Sequence, residues 1–263
     1  MATKLERIAP LGAALLLPGV GLLMNIIANV FKSSLGKKYI MAVTGCCLLL
    51  FVLGHLAGNL QIFLGREAIN RYGHFLQSNP ELIWPARLTM LLMVALHIWS
   101  ATKLSLENKA ARPVGYEVYQ PIGSTYASRT MLVGGSIVFV FIAYHLLHYT
   151  AEVQFLNLTH LNFAAFMEKL PGQVPAERHD IFKMMIVGFN NPLVSGFYVL
   201  GLALLCLHLS HGASSMFQSL GWKNEAYRPC LDRAAQVVAV LIFLGYSSIP
   251  IAVLCGYGKE ALT

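Results

Sequence analysis

Six of the nine histidines, His55, His97, His145, His148, His208 and His211, lie in long apolar stretches, where an ionisable side chain is costly. One such residue reads as a packing histidine satisfied by a hydrogen bond. Six of them, spread over four stretches, point to chemistry. Imidazoles that face each other across a helix bundle suit haem iron ligated from both sides. Zinc, copper and nickel also accept imidazole, but no carboxylate or thiolate stands at a matching depth to complete such a set. The five cysteines form no CxxC and no CxxCH, which removes a zinc ribbon, dithiol redox chemistry and covalently attached haem.

The stretches that carry the histidines are membrane spans. Apolar residues make up 56% of the 263 positions and charged residues 12%, against about 25% charged in a soluble domain. Disorder and a disulfide scaffold are excluded by the same figures. A spanning helix needs about 20 apolar residues, and five segments qualify: 39–64, 83–106, 130–151, 192–218 and 234–258. The expected fold is an all-α integral membrane protein, with the first four spans forming the histidine bundle. Residues 8–31 are apolar but broken by Pro10, Pro18 and three glycines. From 22 to 35 the apolar residues recur at helical spacing opposite Asn25, Asn29, Lys32 and Ser33, the pattern of an amphipathic helix lying in the interface. The chain thus divides into an N-terminal segment, 1–35, and a membrane domain, 36–263.

Depth sorts the histidines. His55 lies 17 residues after Lys38, His145 16 after Arg129, His97 10 after Arg87 and His208 16 after Pro192. Each is late in its span, and successive spans run in opposite directions. Two layers result, roughly 10–15 Å apart at 1.5 Å per residue, one holding His55 and His145 and the other His97 and His208. His148 and His211 each follow a histidine by three residues on nearly the same face. Each stays open as ligand, hydrogen-bonding neighbour or quinone contact. Gly54, Gly58, Gly134, Gly135, Gly196 and Gly201 agree with a bulky planar group, and equally with close helix packing. The connecting segments divide the 19 lysines and arginines twelve to seven, which places the N-terminus in the cytoplasm and the C-terminus outside. The net charge of +7 therefore marks a membrane face, with no nucleic acid implied.

Several segments resemble one family. Gly36-Lys37-Lys38-Tyr39 leading to Gly54-His55-Leu56-Ala57-Gly58-Asn59, then Glu67-Ala68-Ile69-Asn70 with His74-Phe75, resemble a first span and its loop in the dihaem cytochrome b anchors of succinate:menaquinone oxidoreductases and fumarate reductases. Asn108 to Pro113, Ser128 to Met131, and Gly196-Phe197-Tyr198 followed by His208 resemble later parts of the same family. The resemblance covers about 33–258 and implies axial pairs His55 with His145 and His97 with His208, with His211 the lesser candidate. It further implies two haem b, menaquinone as electron partner, a flavoprotein subunit and an iron–sulfur subunit. The setting it implies is a bacterial cytoplasmic membrane. No dinucleotide GxGxxG unit and no ferredoxin-type cysteine run is present, so dicarboxylate chemistry falls to partners.

Two further sets complete the expectation. Lys103, six residues past His97, and Arg129, at the start of the third span, are candidates for haem propionates. Asn59, Glu67, His74 and His148 are candidates for a quinone site beside the outer pair, where protons must be exchanged. Other readings stay open: a dihaem anchor of a hydrogenase or formate dehydrogenase, and a proton-coupled transporter. Against the transporter, the spans lack intramembrane Asp or Glu and show no repeat.

Overall fold

The computed structural model describes residues 28–111, 126–170 and 177–262, with single positions 25, 114, 172 and 175. It is an all-α multi-pass membrane protein with five helices long and apolar enough to span. The spanning helices are α1 (Ser34–Asn59), α3 (Pro80–Ala110), α4 (Tyr126–Tyr149), α6 (Pro192–Ser219) and α7 (Arg228–Leu254). Between them lie α2 (Arg66–Gln77), α5 (Ile181–Phe189) and a small antiparallel hairpin, β1 (Met167–Lys169) with β2 (Glu177–His179).

Local chemistry starts and stops these helices. Ser33 Oγ accepts from the Gly36 amide at 3.0 Å and caps α1. Asn191 accepts from the amides of Leu193 and Val194, and Pro192 opens α6 at the position where a missing N–H costs nothing. Residues 28–32 are helical before the bend at Ser33, and Phe31 lies 5.5 Å from the Trp99 ring of α3. Of the interfacial helix expected over 22–35, positions 22–24, 26 and 27 lie outside the described residues; the rest does not run on as one helix, because the chain bends at Ser33 and Ser34 and Leu35 already belong to α1. Gly36 is required where that segment turns into α1, because a side chain there would overlap the Val30 carbonyl.

α1 packs on α3 and α6, α4 packs on α6, and α7 covers α6 and the edge of α1, while α3 and α4 barely touch. The tilt toward α6 is built by Gly201, against which the Phe141 ring of α4 rests. α7 carries no histidine but ties down α1. Tyr246 donates to the Val52 carbonyl at 2.8 Å, and Tyr257, just beyond α7, donates to the Ile62 carbonyl at 2.6 Å.

The two ends of the bundle differ. At one, here the capped end, α2, the hairpin and α5 fold over the helices. α5 is nine residues, about 14 Å at 1.5 Å per residue, half a bilayer core of about 30 Å. It is too short to span, and its apolar side chains are instead buried in protein. Phe182, Met185, Ile186 and Phe189 join Ile62, Tyr198 and Val253 in the main core. Polar groups lock this cap. Asp180 accepts from the Lys183 amide, Asn70 Nδ2 and Arg66, while Asn70 Oδ1 accepts from the Phe182 amide at 2.8 Å. Arg178, with its side chain almost wholly buried, bridges Glu67 and Glu168. At the opposite, open end, Lys37 is buried between the Glu107 carboxylate at 2.5 Å and the Lys32 carbonyl at 2.9 Å, joining α1 to α3.

Candidate functional site

The histidines meet in two pairs. The rings of His55 and His145 stand 5.8 Å apart between centroids at an interplanar angle of 76°, and those of His97 and His208 stand 6.4 Å apart at 68°. Both pairs cross the bundle, α1 to α4 and α3 to α6. The two depth layers follow from glycines. A side chain at Gly45 would meet His97 Cε1 at 3.2 Å, and one at Gly135 would meet His208 Cε1 at 3.3 Å. Gly45 and Gly135 lie ten residues before His55 and His145 on α1 and α4. Ten residues of helix is about 15 Å, so both helices independently place the pairs about that far apart.

Ring contact also resolves the neighbouring histidines. His148 is fully buried under the cap, its Nδ1 3.0 Å from the Tyr198 hydroxyl, and packs on Tyr149 and Phe163. His211 Nε2 lies 3.1 Å from Ser215 Oγ. Neither forms a ring contact with the histidine across the bundle among the described residues.

The surroundings of the pairs are dissimilar. At the capped end Phe51 stacks on His55 and Phe141 on His145, each one turn earlier on the same helix, with Tyr246 and Tyr198 about 6 Å away. At the open end glycines abut the rings, and the Thr44 hydroxyl lies 3.1 Å from His97 Nδ1. That hydroxyl donates to the Ile40 carbonyl at 2.7 Å, so toward His97 it acts as acceptor. An acceptor at that position favours the His97 tautomer with its proton on Nδ1, which leaves Nε2 for a metal.

Two imidazoles bound to one metal through N–metal bonds of about 2 Å stand roughly 6 Å apart between centroids, and both pairs match that spacing. Among the described residues no three His, Cys, Asp or Glu side chains converge as a ligand group. Zinc, which takes three or four protein ligands, therefore has no such set here. A donor set of two imidazoles suits haem iron, whose other four ligands are porphyrin nitrogens. The residues fit that group.

Lys103 and Arg129 are both exposed at the open end, Lys103 six residues beyond His97 and Arg129 six before Gly135. The four residues expected to surround a quinone are not gathered by any hydrogen bond or ion pair among the described residues. Asn59 Nδ2 donates to the His55 carbonyl at 2.7 Å, Glu67 is engaged by Arg178, His74 is half-buried late in α2, and His148 lies sealed against Tyr198. The Arg178 guanidinium holds the exposed Glu67 carboxyl below the usual carboxylate range, and the same hydrogen bond raises Arg178.

Sequence reasoning gave no site role to Thr44, Gly45, Phe51, Phe141, Tyr198 or Tyr246, although Thr44, Gly45 and Tyr198 stand in the segments that carry the family resemblance. Position was a signal for two of them, since Phe51 and Phe141 each sit four residues before a histidine. Gly135, on the same helix as His145, lies beside His208, because ten residues of α4 carry it to the other layer. Gly58 and Gly201 accommodate Tyr72 and Phe141, and thus serve helix packing, whereas Gly54, Gly134 and Gly196 face open space. Comparison with protein-family models, with curated proteins and with solved structures finds no match to this chain.

Proposed function

We propose that this chain is the membrane-anchoring cytochrome b subunit of a succinate:quinone oxidoreductase. In this reading it holds two non-covalent b haems and exchanges electrons between an iron–sulfur subunit and membrane menaquinone. A flavoprotein subunit carries out the succinate or fumarate chemistry, and the complex sits in a bacterial cytoplasmic membrane with the N-terminus of this chain inside. The observation that carries the reading is the pair of diagonal histidine contacts, 5.8 and 6.4 Å between centroids, in two layers about 15 Å apart.

His55 with His145, and His97 with His208, would hold the two irons, which would supply one-electron transfer. The protein supplies orientation and exclusion of water. Phe51, Phe141 and Tyr246 wall the capped-end pair, and Thr44 sets the tautomer of His97. Lys103 and Arg129 stand at the open end, where the propionates of a haem held there would meet the interface.

The test is a reduced-minus-oxidised spectrum of the purified protein with a haem-to-protein ratio. Two haems per chain are expected, and none would overturn the reading. Copurification of a flavoprotein and an iron–sulfur subunit, with succinate-dependent reduction of the haems, separates this assignment from the anchor of a hydrogenase or formate dehydrogenase.

A further inference from the structure

One buried feature is not used by the two-haem reading. His148 is completely buried one turn beyond His145, and its Nδ1 lies 3.0 Å from the Tyr198 hydroxyl of α6. The same hydroxyl lies 3.4 Å from His145 Nδ1, at the long end of hydrogen-bonding range. One oxygen stands between two ring nitrogens and has one hydrogen to give.

Ligand chemistry assigns that hydrogen. With Nδ1 turned to Tyr198, His145 presents Nε2 to a metal, and an imidazole ligating through Nε2 carries its proton on Nδ1. The Nδ1–H of His145 then donates to the Tyr198 oxygen, which leaves the Tyr198 hydrogen for His148 Nδ1. His148 accepts and carries its own proton on Nε2. In the reverse arrangement His148 donates to Tyr198 and Tyr198 donates to His145. That moves the His145 proton onto Nε2, the atom needed by the metal. The state of His148 therefore reaches His145 through one hydroxyl.

The open end makes the same contact with a fixed part. There Thr44 accepts from His97 and, with the Met41 carbonyl 3.2 Å away, its hydrogen goes to the backbone carbonyl of Ile40. His148 takes the place of that carbonyl at the capped end.

We propose that Tyr198 and His148 are positioning residues for the capped-end metal pair. The Tyr198 hydroxyl, turned by His148, accepts the Nδ1–H of His145, holds it as an Nε2 ligand and strengthens its donation to ferric iron. This rests on the two-haem reading.

The experiment is a redox titration with low-temperature electron paramagnetic resonance on the complex purified from membranes. The capped-end haem is identified as the one lost in His55→Ala. In Tyr198→Phe and in His148→Leu its ferric-over-ferrous preference should fall roughly tenfold, a rise in potential of about 59 mV for one electron. Its low-spin ferric signal should shift while the other haem keeps both properties. His148→Gln, whose amide oxygen accepts the tyrosine hydrogen, should stay near wild type. No shift in Tyr198→Phe, equal shifts in both haems, or identical behaviour of His148→Leu and His148→Gln would each overturn the proposal. Should Tyr198→Phe fail to load the capped-end haem, the leucine–glutamine comparison decides alone. A wild-type protein without haem instead overturns the function itself, so the two failures are distinct.

Discussion

The two histidine pairs share a spacing and differ in nearly everything around it. The capped-end pair is walled by Phe51, Phe141, Tyr198 and Tyr246 and roofed by α5. The open-end pair is bordered by Gly45 and Gly135 and held by one threonine. One site is shaped by bulk and the other by its absence. Aromatic walls exclude water and raise the cost of charge beside the rings, whereas glycine at a ring edge only makes room. The same pair of imidazoles is thus set in two environments, which on the proposed reading would give two centres of unequal potential.

The largest expected effect tests whether the pairs are independent. On the proposed two-haem reading, His55→Ala or His145→Ala should remove one haem of two, and His97→Ala or His208→Ala the other, as read by the haem-to-protein ratio. Loss of both in any single variant would mean that the pairs are one folding unit.

Filling the open-end space comes next. Gly45→Leu places bulk where a Cβ alone already comes within 3.2 Å of His97, so occupancy of that haem should fall severalfold with the capped-end haem retained. Gly54→Ala, with nothing within 4 Å of its Cβ, should keep both haems. It should also gain up to about 1 kcal/mol of helix propensity. Equal losses in the two variants would remove the argument from glycine.

The cap separates the ends energetically. Arg178→Ala removes a buried guanidinium from Glu67, which is largely exposed, and from Glu168, which keeps Arg66 and Asn70, and should cost about 1–2 kcal/mol, seen as a lower melting temperature and faster proteolysis in the cap. The open-end haem should keep its spectrum. A smaller effect is expected from Thr44→Val, which removes the acceptor of His97 at almost constant volume. The open-end potential should rise by about 59 mV, equivalent to tenfold, with the capped-end potential unchanged.

The smallest effect is one of pH. Glu67 is held below the ordinary carboxylate value by its hydrogen bond from Arg178. Its contribution is therefore fully present above the unfolded pKa of about 4.3 and is lost as pH falls through the lowered folded value. The side chain is 67% exposed, so solvent screens it to under about 1 kcal/mol. Glu67→Gln should lower the melting temperature slightly at neutral pH, and the gap should close in acid. Quinone-linked turnover of the same variant separates a structural Glu67 from one that serves a quinone.

The spans were legible because a bilayer demands unbroken apolar length, and α1, α3, α4, α6 and α7 follow the five segments to within a few residues at most boundaries. The pairing was legible for a related reason. Antiparallel spans convert position along the chain into depth, so His55 had to share a layer with His145. The cap was less legible. The residues of α5 read only as the approach to the span that starts at Pro192, so neither the short helix nor its burial was anticipated.

What the sequence determined alone was set by local and one-dimensional physics: length against bilayer thickness, the helix start at Asn191-Pro192, and the depth of each histidine. What only the tertiary structure decided was which atoms meet. No spacing rule distinguishes His145 from His148, three residues apart on nearly one face. The structure resolves it: the Gly201–Phe141 contact brings α4 onto α6, His148 pairs with the Tyr198 hydroxyl, and His145 stands against His55. Gly45 and Gly135 belong to the far layer for the same reason. A residue's neighbours across a bundle depend on helix rotation and crossing, and those are fixed by side-chain packing between segments distant in the chain.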